Sequence, residues 1–180
     1  MSHFVLLLRG INVGKAKRVP MADLRELLAG LGHAGIATSL NSGNAVFQST
    51  GGSASRHAAQ IAAALADRFG FEVPVVVKSG KEFGQVMAGN PLPKDSLDPA
   101  RVLVAFTQDH RSLAGLAALE ALAVAPERFV VGPHAAYLLC AGGVLESPVG
   151  KALLGKAGAA VTTRNWATVL KLQGLLEDGA

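Results

Sequence analysis

The chain has 180 residues, half of them hydrophobic and 17% charged. That length holds one compact domain or two small ones, and so much apolar surface excludes intrinsic disorder. Seventeen basic residues against thirteen acidic ones give a net charge of +4, a mild excess that permits an anionic partner without requiring one.

In chain order, the first element is the apolar run Phe4-Val5-Leu6-Leu7-Leu8, which reads as a central strand. It is too short for a signal-peptide core, and the charge at Arg9 lies on the wrong side. No stretch approaches the ~20 apolar residues of a membrane span, so the reading is a soluble, cytoplasmic, bacterial-type protein with no membrane partner. Residues 9–20 are a loop. A helix follows over 21–31, with Leu24, Leu27, Leu28 and Leu31 on one face and Gly32 as its left-handed stop. Strands at 36–40 and 45–49 flank the turn Asn41-Ser42-Gly43-Asn44. Ser53 or Ser55 caps a helix that runs to about Phe69, closed by Gly70, and 72–78 is a strand.

The second half opens with a short helix over 81–89 and a polar, proline-bearing linker over 90–99. A strand at 101–107, a helix at 112–123 and a hairpin of 129–131 with 136–140 come next. A helix over 149–156, a weak strand at 159–163 and a final helix over 165–176 complete the chain. Each half therefore reads strand, helix, strand, strand, helix, strand. The expected fold is α+β: two tandem ferredoxin-like (βαββαβ) units with an extra C-terminal helix. The expected divisions are 1–79, a helix and linker over 80–99, and 100–180.

In that topology the 9–20 loop and the 41–44 turn share one end of the first sheet, with Arg9 near Asn44. The first helix also begins there, its unpaired N–H groups facing outward. The loop holds Arg9, Lys15, Lys17 and Arg18 with no acid among them. Gly10 and Gly14 let backbone N–H groups approach a ligand. Cations, glycines and a helix start together make an anion site. The spacing matches neither the phosphate-binding G-x-x-x-x-G-K-[ST] loop nor the dinucleotide G-x-G-x-x-G pattern. Near the C-terminus stands Thr162-Thr163-Arg164-Asn165-Trp166. Here Asn165 suits a helix cap, Trp166 suits the core, and Arg164 is the member placed to face a ligand.

Other chemistry has little to draw on. The one cysteine, Cys140, excludes an internal disulfide and a cysteine-based zinc cluster. It sits in an apolar run and reads as a buried small hydrophobe. The five histidines show no i, i+4 pair and no H-E-x-x-H, so no metal site and no cofactor are expected. Asp109-His110 resembles half of a catalytic pair but suits a solvated turn.

Several stretches resemble the bacterial domain-of-unknown-function-1697 family. They are Leu7-Leu8-Arg9-Gly10-Ile11-Asn12-Val13-Gly14, Val19-Pro20-Met21 with Leu24-Arg25, Ser42-Gly43-Asn44-Ala45-Val46-Phe47, and Thr163-Arg164-Asn165-Trp166 with Thr168-Val169-Leu170-Lys171-Leu172. The resemblance covers nearly the whole chain. It implies two α+β ferredoxin-like units and supplies no reaction. Members of the family usually carry a second glycine where this chain has Lys15.

Three functions compete. The first is binding of a small phosphate- or carboxylate-bearing ligand, nucleotides included, by Arg9, Gly10, Asn12, Gly14, Lys15, Ser42, Asn44 and Arg164. The second is a nucleic-acid backbone contact through Lys15, Lys17 and Arg18. Aromatics are only 5% of residues, which leaves little for base stacking. The third is a protein-interaction module without catalysis.

Overall fold

A computed structural model describes residues 1–92 and 98–179. Five residues of the expected 90–99 linker, 93–97, lie outside that range. The fold is mixed α+β, with two four-stranded antiparallel sheets and, among the described residues, six α-helices.

The first sheet is built from β1 (Ser2–Leu8), β2 (Ala34–Ser39), β3 (Asn44–Ser49) and β4 (Val75–Ser79). Helix α1 (Met21–Gly30) connects β1 to β2, and α2 (Ala54–Phe69) connects β3 to β4. The strand order is β2-β3-β1-β4, so β1 lies between β3 and β4. Phe4, Leu6 and Leu8 of β1 pack with Ala45, Phe47 and Val77 against Leu24 and Leu28 of α1 and Ile61 and Leu65 of α2. Val5 and Leu7, pointing the other way, are fully buried as well, which explains a run without polar alternation.

Helix boundaries follow local chemistry. The Ser53 side chain accepts from Arg56 N and starts α2, and Gly70 ends it at φ 75°. Helix α1 stops one residue earlier than its leucine spacing suggests. Leu31 is the C-cap, and it stands 37% exposed because the chain turns away at Gly32 (φ 83°) before Leu31 can join the buried face.

After α3 (Gly80–Ala88), the second sheet comprises β5 (Val102–Thr107), β6 (Arg128–Val131), β7 (Ala136–Leu139) and β8 (Val161–Asn165), in the order β6-β7-β5-β8. The expected helix over 112–123 is different in kind. Asp109 caps a five-residue α4 (His110–Ala114), which tightens into a 3-10 helix over Gly115–Leu122. Leu113, Leu116 and Leu119 recur every three residues and are all buried, the period of a 3-10 helix rather than an α-helix. Ser147 caps α5 (Pro148–Leu154). The last strand starts two residues later than expected, because a short 3-10 turn over Lys156–Gly158 precedes it. Helix α6 (Trp166–Asp178) ends the described chain.

The chain forms two compact units, Met1–Phe83 with Lys171–Ala180, and Gly84–Leu170. Among the described residues, no helix is long and apolar enough to cross a membrane.

Gly43 tests the packing at the β1 end of the first sheet. At φ 78°, an added Cβ would lie 2.5 Å from Leu8 Cβ and 2.9 Å from Ile11 Cδ1. Gly43→Ala is expected to cost about 2–4 kcal/mol, the sum of left-handed strain and overpacking. Gly14→Ala meets open space at φ 62° and should lose only the strain component, about 1–2 kcal/mol. Denaturant unfolding of both variants measures the difference, and equal losses would refute the packing argument.

Candidate functional site: the β1–α1 loop and the β2–β3 turn

The loop leaves β1 through two backbone bonds. Leu8 N donates to Gly43 O at 2.9 Å, and Arg9 N donates to Pro74 O at 3.0 Å. Asn12 then fastens the loop in two directions. Its Oδ1 accepts from Val19 N at 2.9 Å, and its Nδ2 donates to Val19 O at 2.9 Å and to Asn41 O at 2.7 Å. Asn12 N also donates to Lys17 O at 3.1 Å. The loop is thus closed on itself and tied to the turn, so the expected meeting of these two segments occurs. Ile11 and Val19 are buried in the core and anchor it from below.

The backbone here is unusual. Among the described residues, the non-glycine residues with positive φ are Asn12 (55°), Lys17 (48°) and Leu40 (60°), all in this loop or at the turn. Gly10, Gly14 and Gly43 add three more left-handed positions. Asparagine tolerates that region; a γ-branched leucine seldom adopts it, and such strain collects at functional positions.

The polar side chains divide by role. Asn44 is fully buried, at β3 opposite Leu7, and its Nδ2 donates to Ser39 O at 3.0 Å and to Ser42 Oγ at 2.9 Å. It stitches the turn together. Lys15 and Arg18 are exposed and make no hydrogen bond or ion pair among the described residues. Lys17 Nζ donates to the Glu72 carbonyl at 3.0 Å. Arg9 is half-buried, and that burial pushes its guanidinium below its ordinary value. Ser42 and Gly10 are exposed. Helix α1 begins at the end of this loop, behind Pro20, with no side-chain cap. Asp23 in its first turn lies 3.4 Å from Arg68, which also meets Glu26 at 2.9 Å, exposed pairs of small energetic weight.

The C-terminal cluster belongs to structure. Arg164 lies on β8 in the second unit and is 8% exposed. Its Nη1 donates to Thr162 Oγ1 at 2.7 Å and to Thr163 O at 2.8 Å, and burial lowers it to about 10, still cationic at neutral pH. Asn165 Oδ1 accepts from Thr168 N and Thr168 Oγ1, which caps α6, and Trp166 is buried. Asp109 accepts from Ser112 N at 2.8 Å and is the cap of α4. Cys140 is buried, and burial with the nearby Glu127 carboxylate pushes its thiol up to about 11, an unreactive state. Among the described residues, no group of three or more His, Cys, Asp or Glu side chains could hold a metal ion.

Sequence reading missed one feature. His33 and His57 lie face to edge in the core of the first unit, their ring centroids 5.0 Å apart. The two are 24 positions apart and on different elements, so no spacing rule joins them.

The chain belongs to the family described as "Protein of unknown function (DUF1697)", whose sequence model matches residues 1–137. It is similar over nearly its full length to the structure of the conserved bacterial protein SP0830 from Streptococcus pneumoniae. The TM-score is 0.81 and the identity 27%, with 97% of this chain and 98% of that one covered. No curated protein matches.

Asn12→Ala removes three side-chain hydrogen bonds and leaves an alanine at φ 55°. The expected loss is about 2–4 kcal/mol in denaturant unfolding. Asn12→Gly relieves the backbone and should still lose about 2 kcal/mol, since the bonds are gone. A neutral Asn12→Gly would contradict the role given to the side chain.

Proposed function

We propose that the chain consists of two tandem ferredoxin-like units and that the first binds a small phosphate- or carboxylate-bearing molecule at the 9–20 loop and 41–44 turn. The order of strands and helices in each half, with β1 between β3 and β4 and β5 between β7 and β8, supports the fold reading. The observation that carries the binding reading is the pair Lys15 and Arg18. Both are exposed, unneutralised cations on an acid-free loop whose backbone is held in left-handed turns. Cations with no internal counter-charge attract an anion, and a fixed loop spares the ordering entropy.

In this reading Arg9, Lys15 and Arg18 supply charge. Gly10 and Gly14 bring backbone N–H groups close, and the Ser42 hydroxyl orients the ligand. Asn12 and Asn44 act from behind by holding the loop and the turn. Arg164 is committed to Thr162 and Thr163 and is left out of the site. A nucleic-acid stacking surface on β3 has less support, because the strand's aromatic residue, Phe47, is 1% exposed.

Calorimetric titration with inorganic phosphate, adenosine monophosphate and citrate tests the reading. The intact protein should bind at least one of them, and Lys15→Ala with Arg18→Ala should weaken it about 100-fold, about tenfold per lost charge-assisted contact. Unfolding stability should stay within about 0.5 kcal/mol, as for exposed substitutions. No binding by the intact protein, or full binding by the double variant, would reject the site.

A further inference from the structure

The first unit buries two imidazoles that the candidate site does not use. His33 follows α1 and is 8% exposed; His57 lies in the first turn of α2 and is 3% exposed. All four of their ring nitrogens are buried and none makes a hydrogen bond of ordinary geometry, although the Gly51 carbonyl acts on His57. Their neighbours are aromatic. Phe4 of β1 lies 4.6 Å from His57 edge to face, and Phe47 of β3 lies 4.3 Å from His33 and 5.6 Å from His57, centroid to centroid. A glycine loop lies against the His57 ring. A Cβ on Gly52 would come within 2.8 Å of both Cε1 and Nε2 of His57. Ser49 Oγ holds this loop by donating to Gly51 O at 2.9 Å.

Such an arrangement tolerates neutral rings and opposes charged ones. Phe4 from β1 and Phe47 from β3 carry no charge. From α2, the charged group acting on His57 is Arg56, a cation, and the charge acting on His33 is His57 itself. Among the described residues, no carboxylate acts on either ring. The Gly51 carbonyl alone favours the charged form of His57, and desolvation outweighs it. Two protonated rings would therefore place like charges 5.0 Å apart in an apolar core with no counter-ion.

We propose that His33 and His57 form an acid-triggered latch whose protonation releases the Gly51–Gly52 loop and the first turn of α2 from the sheet. The loop is the weak wall. It is exposed, it contains two adjacent glycines, and it lies directly on the His57 ring edge. Opening it gives the His57 ring water, whereas opening the α1 or α2 body would expose the leucine core.

The sign is fixed by linkage. Burial lowers both histidines below their ordinary 6.5, so the closed loop is fully stable above that pH and loses stability as the pH falls through the lowered values. Amide hydrogen exchange on the full chain reads this out. Protection of residues 50–57, corrected for intrinsic exchange, should fall below pH 6.5 by up to about tenfold per pH unit for each histidine that titrates. The paired substitution His33→Phe with His57→Phe keeps two flat rings and removes the protons, so its protection should be flat over the same range. Imidazole proton shifts of the unsubstituted protein provide a second readout that needs no variant, and both rings should titrate below 6.5. Constant protection from pH 7 to 5, retained pH dependence in the phenylalanine variant, or rings titrating at or above 6.5 would each overturn the latch.

Discussion

Asn12 spends its side-chain carbonyl and its amide group on three backbone atoms, and the exposed end of the first sheet depends on that. Two of the bonds go to Val19 and draw the far side of the loop back to its start. The third goes to Asn41 and joins the loop to the turn. With the loop closed this way, Ile11 and Val19 point into the core, and residues 13–18 have no direction left but outward. Within this closure Asn12 and Lys17, like Gly10 and Gly14, take left-handed backbone. The outward-facing cations and the left-handed backbone at this end share one asparagine clasp.

The two units use burial differently. The second unit buries Phe106, Phe129, Tyr137 and Trp166 beside its aliphatic residues, together with a thiol that burial leaves inert. The first unit mixes its leucines with Phe4, Phe47 and two buried imidazoles. An unpaired polar group in a core is costly, and isosteric apolar rings would avoid that cost. The cationic loop and the imidazole pair flank the same β1 and β3 strands, which fix the positions of both.

Much of the architecture was legible because strands such as β1, β4 and β5 are short apolar runs and most helices carry their own caps. Ser53, Asn165 and Gly70 act as their residue types predict. The meeting of loop and turn was legible because β1 and β3 had to be neighbours. What escaped depends on distance along the chain or on subtler periods. Leu113, Leu116 and Leu119 state a period of three, which an α-helical reading of 112–123 passes over. Asn44 reads as a turn residue, yet pairing with Leu7 draws it into the sheet and makes it a buried strut. Arg164 stands next to a helix cap, but strand alternation on β8 places it in the interior. The His33–His57 pair is created wholly by packing, and nothing in local sequence marks it.

The Asn12 clasp holds the cationic loop in one shape without any ligand. Backbone order parameters from nitrogen-15 relaxation of the ligand-free protein measure this at residues 10–18. The clasp predicts values near those of rigid backbone, about 0.85, across the loop. Values below about 0.6 would mean a flexible loop, and would contradict an account in which Asn12 sets its shape.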